Sequence, residues 1–163
     1  RMNAIDRGGL LDLSSLRRTA ATREEVSRYG LRRGDLLFNT RNTRELVGKA
    51  AIYTDDETCL FNNNLMRVRF TPEANSTYIW AALRRPALRH ELEIRKSGTT
   101  SVFAIYAKDL KTVSISLPPI DLQTAFARAI DQLAVRRDKL RRAQTTLDDL
   151  FSSLQQRAFR GEL

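Results

Sequence analysis

Arginine and asparagine stand side by side in a short polar stretch, residues 41–44, with the sequence RNTR. A guanidinium group can form two hydrogen bonds with the edge of guanine, and a carboxamide can do the same with adenine. Both groups also bond phosphate. A solvated turn has a similar composition, so two interpretations are open. One is a turn, and the other is a loop between two strands whose DNA contacts are made by Arg41, Asn42, Thr43 and Arg44.

A second polar segment, residues 95–100, combines two cations with three hydroxyl groups around Gly98. Cations and hydroxyls are the side chains that most often bond the phosphate backbone, and Gly98 predicts a flexible loop. An ordinary loop at the end of a helix is the alternative. Of all segments, this one is the strongest candidate for DNA contact, and the residues predicted to make the contacts are Arg95, Lys96, Ser97, Thr99 and Thr100.

Two weaker candidates lie between these segments. Three consecutive asparagines, residues 62–64, either form a turn or place Asn63 against a base edge. Residues 65–70 then alternate between apolar and basic side chains, which predicts a half-buried strand. Arg67 and Arg69 would form its outward, basic face, and Arg67 is therefore a further candidate for DNA contact.

Catalytic chemistry finds little support in the sequence. GKAA, residues 48–51, lacks the glycine and the hydroxyl residue of a phosphate-binding loop, because Thr43 and Ala50 occupy those positions. The acidic run of residues 55–57 is typical of a solvated turn. With one cysteine and one histidine, the chain can form neither an internal disulfide nor a Cys/His metal cage. We therefore expect a chain that is not an enzyme and that holds no metal or cofactor.

The elements that must position these residues are mostly short strands with helices between them, which predicts an α+β fold. Strands are expected at residues 2–5, 10–13, 35–39, 48–53, 65–70 and 113–117, and helices at residues 78–83 and 86–95. A further short helix is expected to begin at the capping pair Thr22 and Glu25 and to end at Gly30. Residues 1–118 carry 20 Lys and Arg against 13 Asp and Glu, as expected of a nucleic-acid binder. No apolar run suggests a membrane span, and a reduced, cytoplasmic protein is the simplest interpretation.

The last part of the chain, residues 119–163, is predicted to be one long helix. Two prolines, Pro118 and Pro119, precede it, and apolar residues then recur every seven positions, which is the pattern of a coiled coil. At 1.5 Å per residue the helix would be roughly 60 Å long, ending near Gly161. The predicted interface residues are Phe126, Ile130, Leu133, Leu140, Leu147, Leu150 and Leu154.

The order of several segments resembles one half of a type I restriction-modification specificity (S) subunit. They are RMNAIDRGGLLDL, YGLRRGDLLFNTRNTRELVGKAAIY, SGTTSVFAIYAKDLKTVSISLPP, LPPIDLQ and the closing AFRGEL. The family usually has an acidic residue and a glutamine directly after the prolines, whereas this chain has Asp121, Leu122 and Gln123. The chain also starts at Arg1, inside the family pattern, so we expect the start of the recognition domain to be missing.

This resemblance implies a target recognition domain at residues 1–118 and a conserved helix at residues 119–163 that acts as a spacer and dimerisation element. Such a subunit would bind one half of a bipartite target in double-stranded DNA and dock methyltransferase (M) subunits and a translocase-nuclease (R) subunit. Its helix would pair with a second copy or with the second half of S. S-adenosylmethionine, ATP and Mg would belong to the partner subunits. An alternative from another class is a coiled-coil scaffold or adaptor protein whose basic globular head binds no specific DNA.

Overall fold

The computed structural model describes residues 4–6, 8–14 and 16–162. The chain forms two compact units, one reaching to Thr124 and the other starting at Ala125. The elements, in chain order, are α1 (Arg23–Tyr29), β1 (Leu36–Asn39), β2 (Arg41–Asn42), β3 (Ala50–Ile52), β4 (Leu65–Val68), α2 (Ser76–Leu83), α3 (Pro86–Glu93), β5 (Ser97–Gly98), β6 (Phe103–Ala104), α4 (Ala107–Leu110) and α5 (Ile120–Phe159). The α+β class and the long C-terminal helix are thus confirmed.

A three-stranded antiparallel sheet, which we call the central sheet, organises the first unit, with β1 between β3 and β4. All four residues of β1 are buried. Successive side chains of a strand point to opposite faces, so β1 contributes to two cores. Leu36 and Phe38 pack with residues of α2 and α3, while Leu37 packs on the other face with Tyr53.

A second antiparallel sheet, which we call the small sheet, has the strand order β2-β6-β5 and only two residues in each strand. It joins parts of the chain that are about 60 residues apart. Arg41 lies opposite Ala104, and Ala104 lies opposite Ser97. The amide of Ile105 donates to the carbonyl of Thr40 at 3.0 Å, which fixes β6 to the chain between β1 and β2.

Several predicted local features are present. Thr22 and Glu25 form the predicted capping box of α1, and Gly30 ends that helix. Gly161 has a positive φ of 70° just after α5, a conformation that favours glycine and ends a helix. No helix among the described residues is long and apolar enough to cross a membrane.

Three predictions of strands differ from the structure. Met2 and Asn3, in the first predicted strand, lie outside the described residues, and a single bridge between Ile5 and Leu11 takes the place of the first two strands. Residues 113–117 form no strand, although Val113 and Ile115 pack on the core as the alternation predicted. Leu117, at the end of the same segment, is 51% exposed, and no strand in the described part of the chain pairs with residues 113–117.

The start of α5 belongs to the first unit and contains one buried glutamine, Gln123, which is 1% exposed. Its side-chain oxygen accepts from the amide of Asn75 at 2.9 Å. Its side-chain nitrogen donates to the carbonyls of Glu73 at 3.1 Å and Pro118 at 2.8 Å. The glutamine that follows the displaced acid Asp121 therefore satisfies three backbone groups of the first unit.

Candidate nucleic-acid interface

The two strongest sequence candidates, residues 41–44 and 95–100, come together on the small sheet. Through the middle strand β6, Arg41 lies in register with Ser97, and Asn42 lies in register with Gly98. The prediction of two loops was wrong for these four residues, since they form strands β2 and β5. Strands of two residues are too short to show a periodicity in the sequence, so the sequence did not reveal this ladder.

The candidate residues that remain in turns are largely exposed. Thr43 follows β2, and the amide of Thr43 donates to the side-chain oxygen of Asn42 at 2.9 Å. Thr99 and Thr100 form the exposed turn between β5 and β6. Asn63 is also exposed, in the turn before β4. These residues occupy positions that a ligand can reach.

Arg41 is exposed on β2. Its guanidinium has no hydrogen-bond or ion-pair partner within residues 4–6, 8–14 and 16–162. A guanidinium in this state retains all five N–H donors for a ligand, and this geometry matches a phosphate or a guanine edge.

Two other cations beside the small sheet, Arg44 and Lys96, share one carboxylate, that of Glu93 at the end of α3. Arg44 Nε donates to Glu93 Oε1 at 2.9 Å, and Lys96 Nζ lies 2.6 Å from Glu93 Oε2. Hydrogen bonds from Lys96 and, to a smaller extent, from Arg44 lower the pKa of Glu93 below its ordinary value. Lys96 also donates to the carbonyl of Arg44. We call this cluster of Arg44, Glu93 and Lys96 the Glu93 clamp.

The clamp fixes two side chains at different depths. The Arg44 side chain is 63% exposed, and its guanidinium lies 5.5 Å from the centre of the Phe103 ring on β6. The Lys96 side chain is only 10% exposed. The clamp thus ties the turn after β2 to the segment between α3 and β5, which are the two segments singled out from the sequence.

Arg95, a predicted phosphate contact, has several internal partners. Its guanidinium pairs with the carboxylate of Glu91 one turn earlier and bonds the Thr112 hydroxyl at 2.9 Å. Only 21% of its side chain is exposed. The structure therefore places Arg95 between α3 and the segment after α4, with its charge already paired.

The basic face predicted for residues 65–70 is also occupied by internal contacts. Arg69 makes two hydrogen bonds, of 2.7 and 2.6 Å, to the carboxylate of Asp35, which is 2% exposed. Burial raises the pKa of Asp35, but the bonds from Arg69 and from the Arg32 amide outweigh it, so the pKa is lowered overall. Arg67 donates to the carbonyl of Gly30 and lies over the Phe61 ring at 5.5 Å.

A cleft of about 300 Å³ beside the clamp was not predicted from the sequence. Glu93 and Lys96 line it together with residues of α2, α3 and the chain before β3, among them Lys49, Arg84 and Arg89. Arg84 donates to the carbonyl of Gly8 and lies over the Trp80 ring at 4.7 Å. The lysines and arginines that line this cleft come from separate parts of the chain, and only Arg89 among them lies on a helix, so no local sequence pattern indicated the cleft.

The predicted coiled-coil residues lie on α5. Leu133, Leu140, Leu147, Leu150 and Leu154 are 49–72% exposed, Phe126 is 40% exposed, and Ile130 is half-buried. Leucines at seven-residue spacing with this exposure form an apolar stripe along the helix. Among the described residues, no three His, Cys, Asp or Glu side chains come together as a metal site.

The first unit and the long helix give an α+β protein in which two polar segments and several cations meet on a small exposed sheet. In a match that is 164 positions long and covers 96% of the chain, it is 29% identical to the type I restriction enzyme EcoKI specificity subunit of Escherichia coli (strain K12). Over 111 residues, 66% of the chain, it is 30% identical to a protein of Methanocaldococcus jannaschii with the provisional name type I restriction enzyme MjaX specificity subunit.

These matches confirm the predicted resemblance to type I specificity subunits. The matched residues make up 35% of the length of the first relative and 26% of the second. The chain therefore spans about a third of the first relative and about a quarter of the second. No family model matches the chain. Both relatives are named as specificity subunits.

Proposed function

We propose that the chain is a sequence-specific DNA-binding part of a type I restriction-modification specificity subunit, and that its first unit binds one half of a bipartite target. The observation that carries this proposal is the small sheet, which brings Arg41 and Asn42 into register with Ser97 and Gly98. One sheet thus combines side chains suited to base edges with a turn of exposed hydroxyls suited to phosphates. The names of the two relatives support the same role.

Within this proposal the residues have different tasks. Arg41 and Asn42 read base edges, while Thr99 and Thr100 bond the DNA backbone. Asn63 lies in a separate exposed turn and is a secondary contact. Because Arg67 and Arg95 have internal partners in the structure, we assign them to holding the fold that presents the small sheet.

The experiment begins with a selection from randomised duplexes, in which the chain of 163 residues enriches its own target. Binding is then measured on that duplex and on a scrambled duplex at several salt concentrations. Loss of Arg41 or Asn42, in Arg41→Ala and Asn42→Ala, should cost about 1–3 kcal/mol on the target and almost nothing on the scrambled duplex.

Arg33→Ala is the matched control, because Arg33 is exposed and basic but pairs with Asp56, outside the small sheet. It should weaken binding to both duplexes equally or have no effect. Failure of any sequence to become enriched, or equal affinity for both duplexes, would contradict the proposed function. Such a result would favour the scaffold alternative.

For the partners, we propose that α5 pairs with a second copy of the chain or with the second half of a full S subunit, and that M and R subunits dock on the assembly. S-adenosylmethionine, ATP and Mg would then act on those partners. The apolar stripe on α5 supports the pairing, since leucines at coiled-coil spacing normally face another helix.

A double substitution tests this pairing. Leu140→Asp with Leu147→Asp places two charges in the stripe and should abolish self-association, measured by sedimentation at tens of micromolar, while the circular dichroism of the first unit persists. The matched control is Arg141→Asp with Asp148→Arg, which changes charges one position away from each leucine. A wild-type chain that is monomeric at these concentrations would exclude the homodimer and leave pairing with a second half of S.

A further inference from the structure

The Glu93 clamp has an unusual composition for a surface that is proposed to bind a polyanion. A carboxylate stands between two cations that flank the small sheet, at 2.9 Å from Arg44 and 2.6 Å from Lys96. A carboxylate repels phosphate, so its presence weakens binding to any duplex. Such a residue is expected where attraction to DNA of any sequence has to be limited.

The carboxylate also occupies the same donors that a phosphate would use. Guanidinium and ammonium groups bind carboxylate and phosphate oxygens with similar charge-assisted hydrogen bonds. While Glu93 holds Arg44 Nε and Lys96 Nζ, these donors are unavailable to the backbone of a random duplex. Arg41, which has no such partner among the described residues, keeps all its donors available to DNA.

A second effect of the clamp is geometric. Arg44 belongs to the turn after β2, and Lys96 belongs to the segment that enters β5. The small sheet has only two residues per strand, so its own hydrogen bonds restrain these segments weakly. The clamp, together with the bond from Lys96 to the Arg44 carbonyl, adds cross-links at their ends.

From these observations we propose that Glu93 is a specificity-determining residue, a positioning carboxylate that withholds Arg44 and Lys96 from random phosphates and fixes the spacing of the two base- and phosphate-contacting segments. This inference rests on the proposed function and deepens it. It predicts an unusual outcome, namely that removing the charge of a side chain near the interface strengthens binding to DNA that lacks the target sequence.

The test uses Glu93→Gln, which keeps the size of the side chain and removes its charge. Affinity for the scrambled duplex should rise on the order of tenfold at 0.1 M salt. The salt slope should become steeper by about one unit through the exposed Arg44, and by about two if the Lys96 side chain, 10% exposed in the wild type, also turns to a phosphate. Affinity for the selected target should rise less, so the ratio of target to scrambled affinity should fall. Glu93→Asp, which keeps the charge, should restore a salt slope close to that of the wild type.

Asp56→Asn is the charge-matched control, since it also removes one carboxylate from an exposed arginine, at Arg33. It should leave the ratio of the two affinities unchanged. If Asp56→Asn and Glu93→Gln raise binding to scrambled DNA equally and neither changes the ratio, the effect is one of net charge, and the role of Glu93 is refuted.

A measurement without DNA separates the clamp from the proposed function. Amine acetylation followed by mass spectrometry should modify Lys96 several-fold faster in Glu93→Gln than in the wild type, while Lys108 reacts at the same rate in both. An unchanged rate at Lys96 would mean that Glu93 does not hold it, and this would overturn the inference. A wild-type chain that does not discriminate between duplexes would overturn the proposed function itself, whereas a ratio of target to scrambled affinity that Glu93→Gln leaves unchanged would overturn the inference alone.

Discussion

Arg69, which follows the central sheet, and Arg41, which lies on the small sheet, have opposite electrostatic surroundings. Arg69 makes two hydrogen bonds to a carboxylate that is 2% exposed, whereas Arg41 lies exposed with no bonded partner among the described residues. When only the sequence was considered, Arg41 was a candidate for DNA contact, and Arg69 belonged to the predicted basic face that contains the candidate Arg67. The difference shows that an arginine on or next to a strand is available to a ligand only where the fold places no carboxylate or carbonyl within its reach.

The largest expected effect comes from Arg69→Ala. This change leaves the carboxylate of Asp35 buried without its cation, so the free energy of unfolding should fall by about 2–4 kcal/mol. Urea denaturation of the two proteins measures the difference. A change close to zero would mean that the Asp35–Arg69 pair is not needed for the stability of the central sheet.

The same pair predicts how that difference depends on pH. The folded pKa of Asp35 lies below its ordinary value of about 3.9, so the pair stabilises the fold above that pH and the contribution is lost as the pH falls through the folded pKa. The difference in stability between the wild type and Arg69→Ala should therefore be full near pH 7 and shrink below about pH 4. Subtracting the two curves removes the contributions of the other carboxylates. A difference that does not depend on pH would show that Arg69 acts through packing alone.

A smaller effect is expected from Arg67→Ala, which removes a hydrogen bond to the carbonyl of Gly30 and a contact with the Phe61 ring. The free energy of unfolding should fall by about 1 kcal/mol, because neither contact leaves a buried charge. Binding to target and scrambled duplexes should keep the same ratio. A selective loss on the target would show instead that Arg67 reads a base.

The smallest effect on stability is expected from Arg41→Ala, for which thermal unfolding should be unchanged within error. Paired with its loss of affinity for the target, this result would complete the contrast with Arg69. A clear fall in the melting temperature would mean that Arg41 supports the small sheet, and its role in binding DNA would then need a different variant to test it.

Local signals in the sequence predicted a large part of the fold. Helix α1 could be predicted because its capping pair, Thr22 and Glu25, and its C-cap, Gly30, act only on neighbouring residues of the chain. The heptad pattern predicted α5 because its apolar residues repeat along one continuous helix and need no distant part of the chain to be recognised. Hydrophobic alternation also placed Val68 and Phe70 against the core.

The contacts that could not be predicted join residues far apart in the chain. Asp35 and Arg69 are 34 positions apart, and no pattern in the sequence indicates that one carboxylate would be buried and would take this arginine as its partner. In the same way, Glu93 and Arg44 meet across 49 positions. Two-residue strands such as β2 and β5 have no periodicity, so the small sheet could be recognised only once the chain was folded.

The turn between β5 and β6 has a rigid base and an open tip. Gly98 has no room for a side chain, because a Cβ there would collide with the carbonyl of Val102 and with Phe103, whereas Thr99, Thr100 and Ser101 are exposed. Substitutions at these three positions are therefore expected to leave the fold intact, while those at Gly98 are not. In evolutionary terms, such a turn lets a lineage try new side chains against its ligand by single-codon changes, without first acquiring compensating changes in the core.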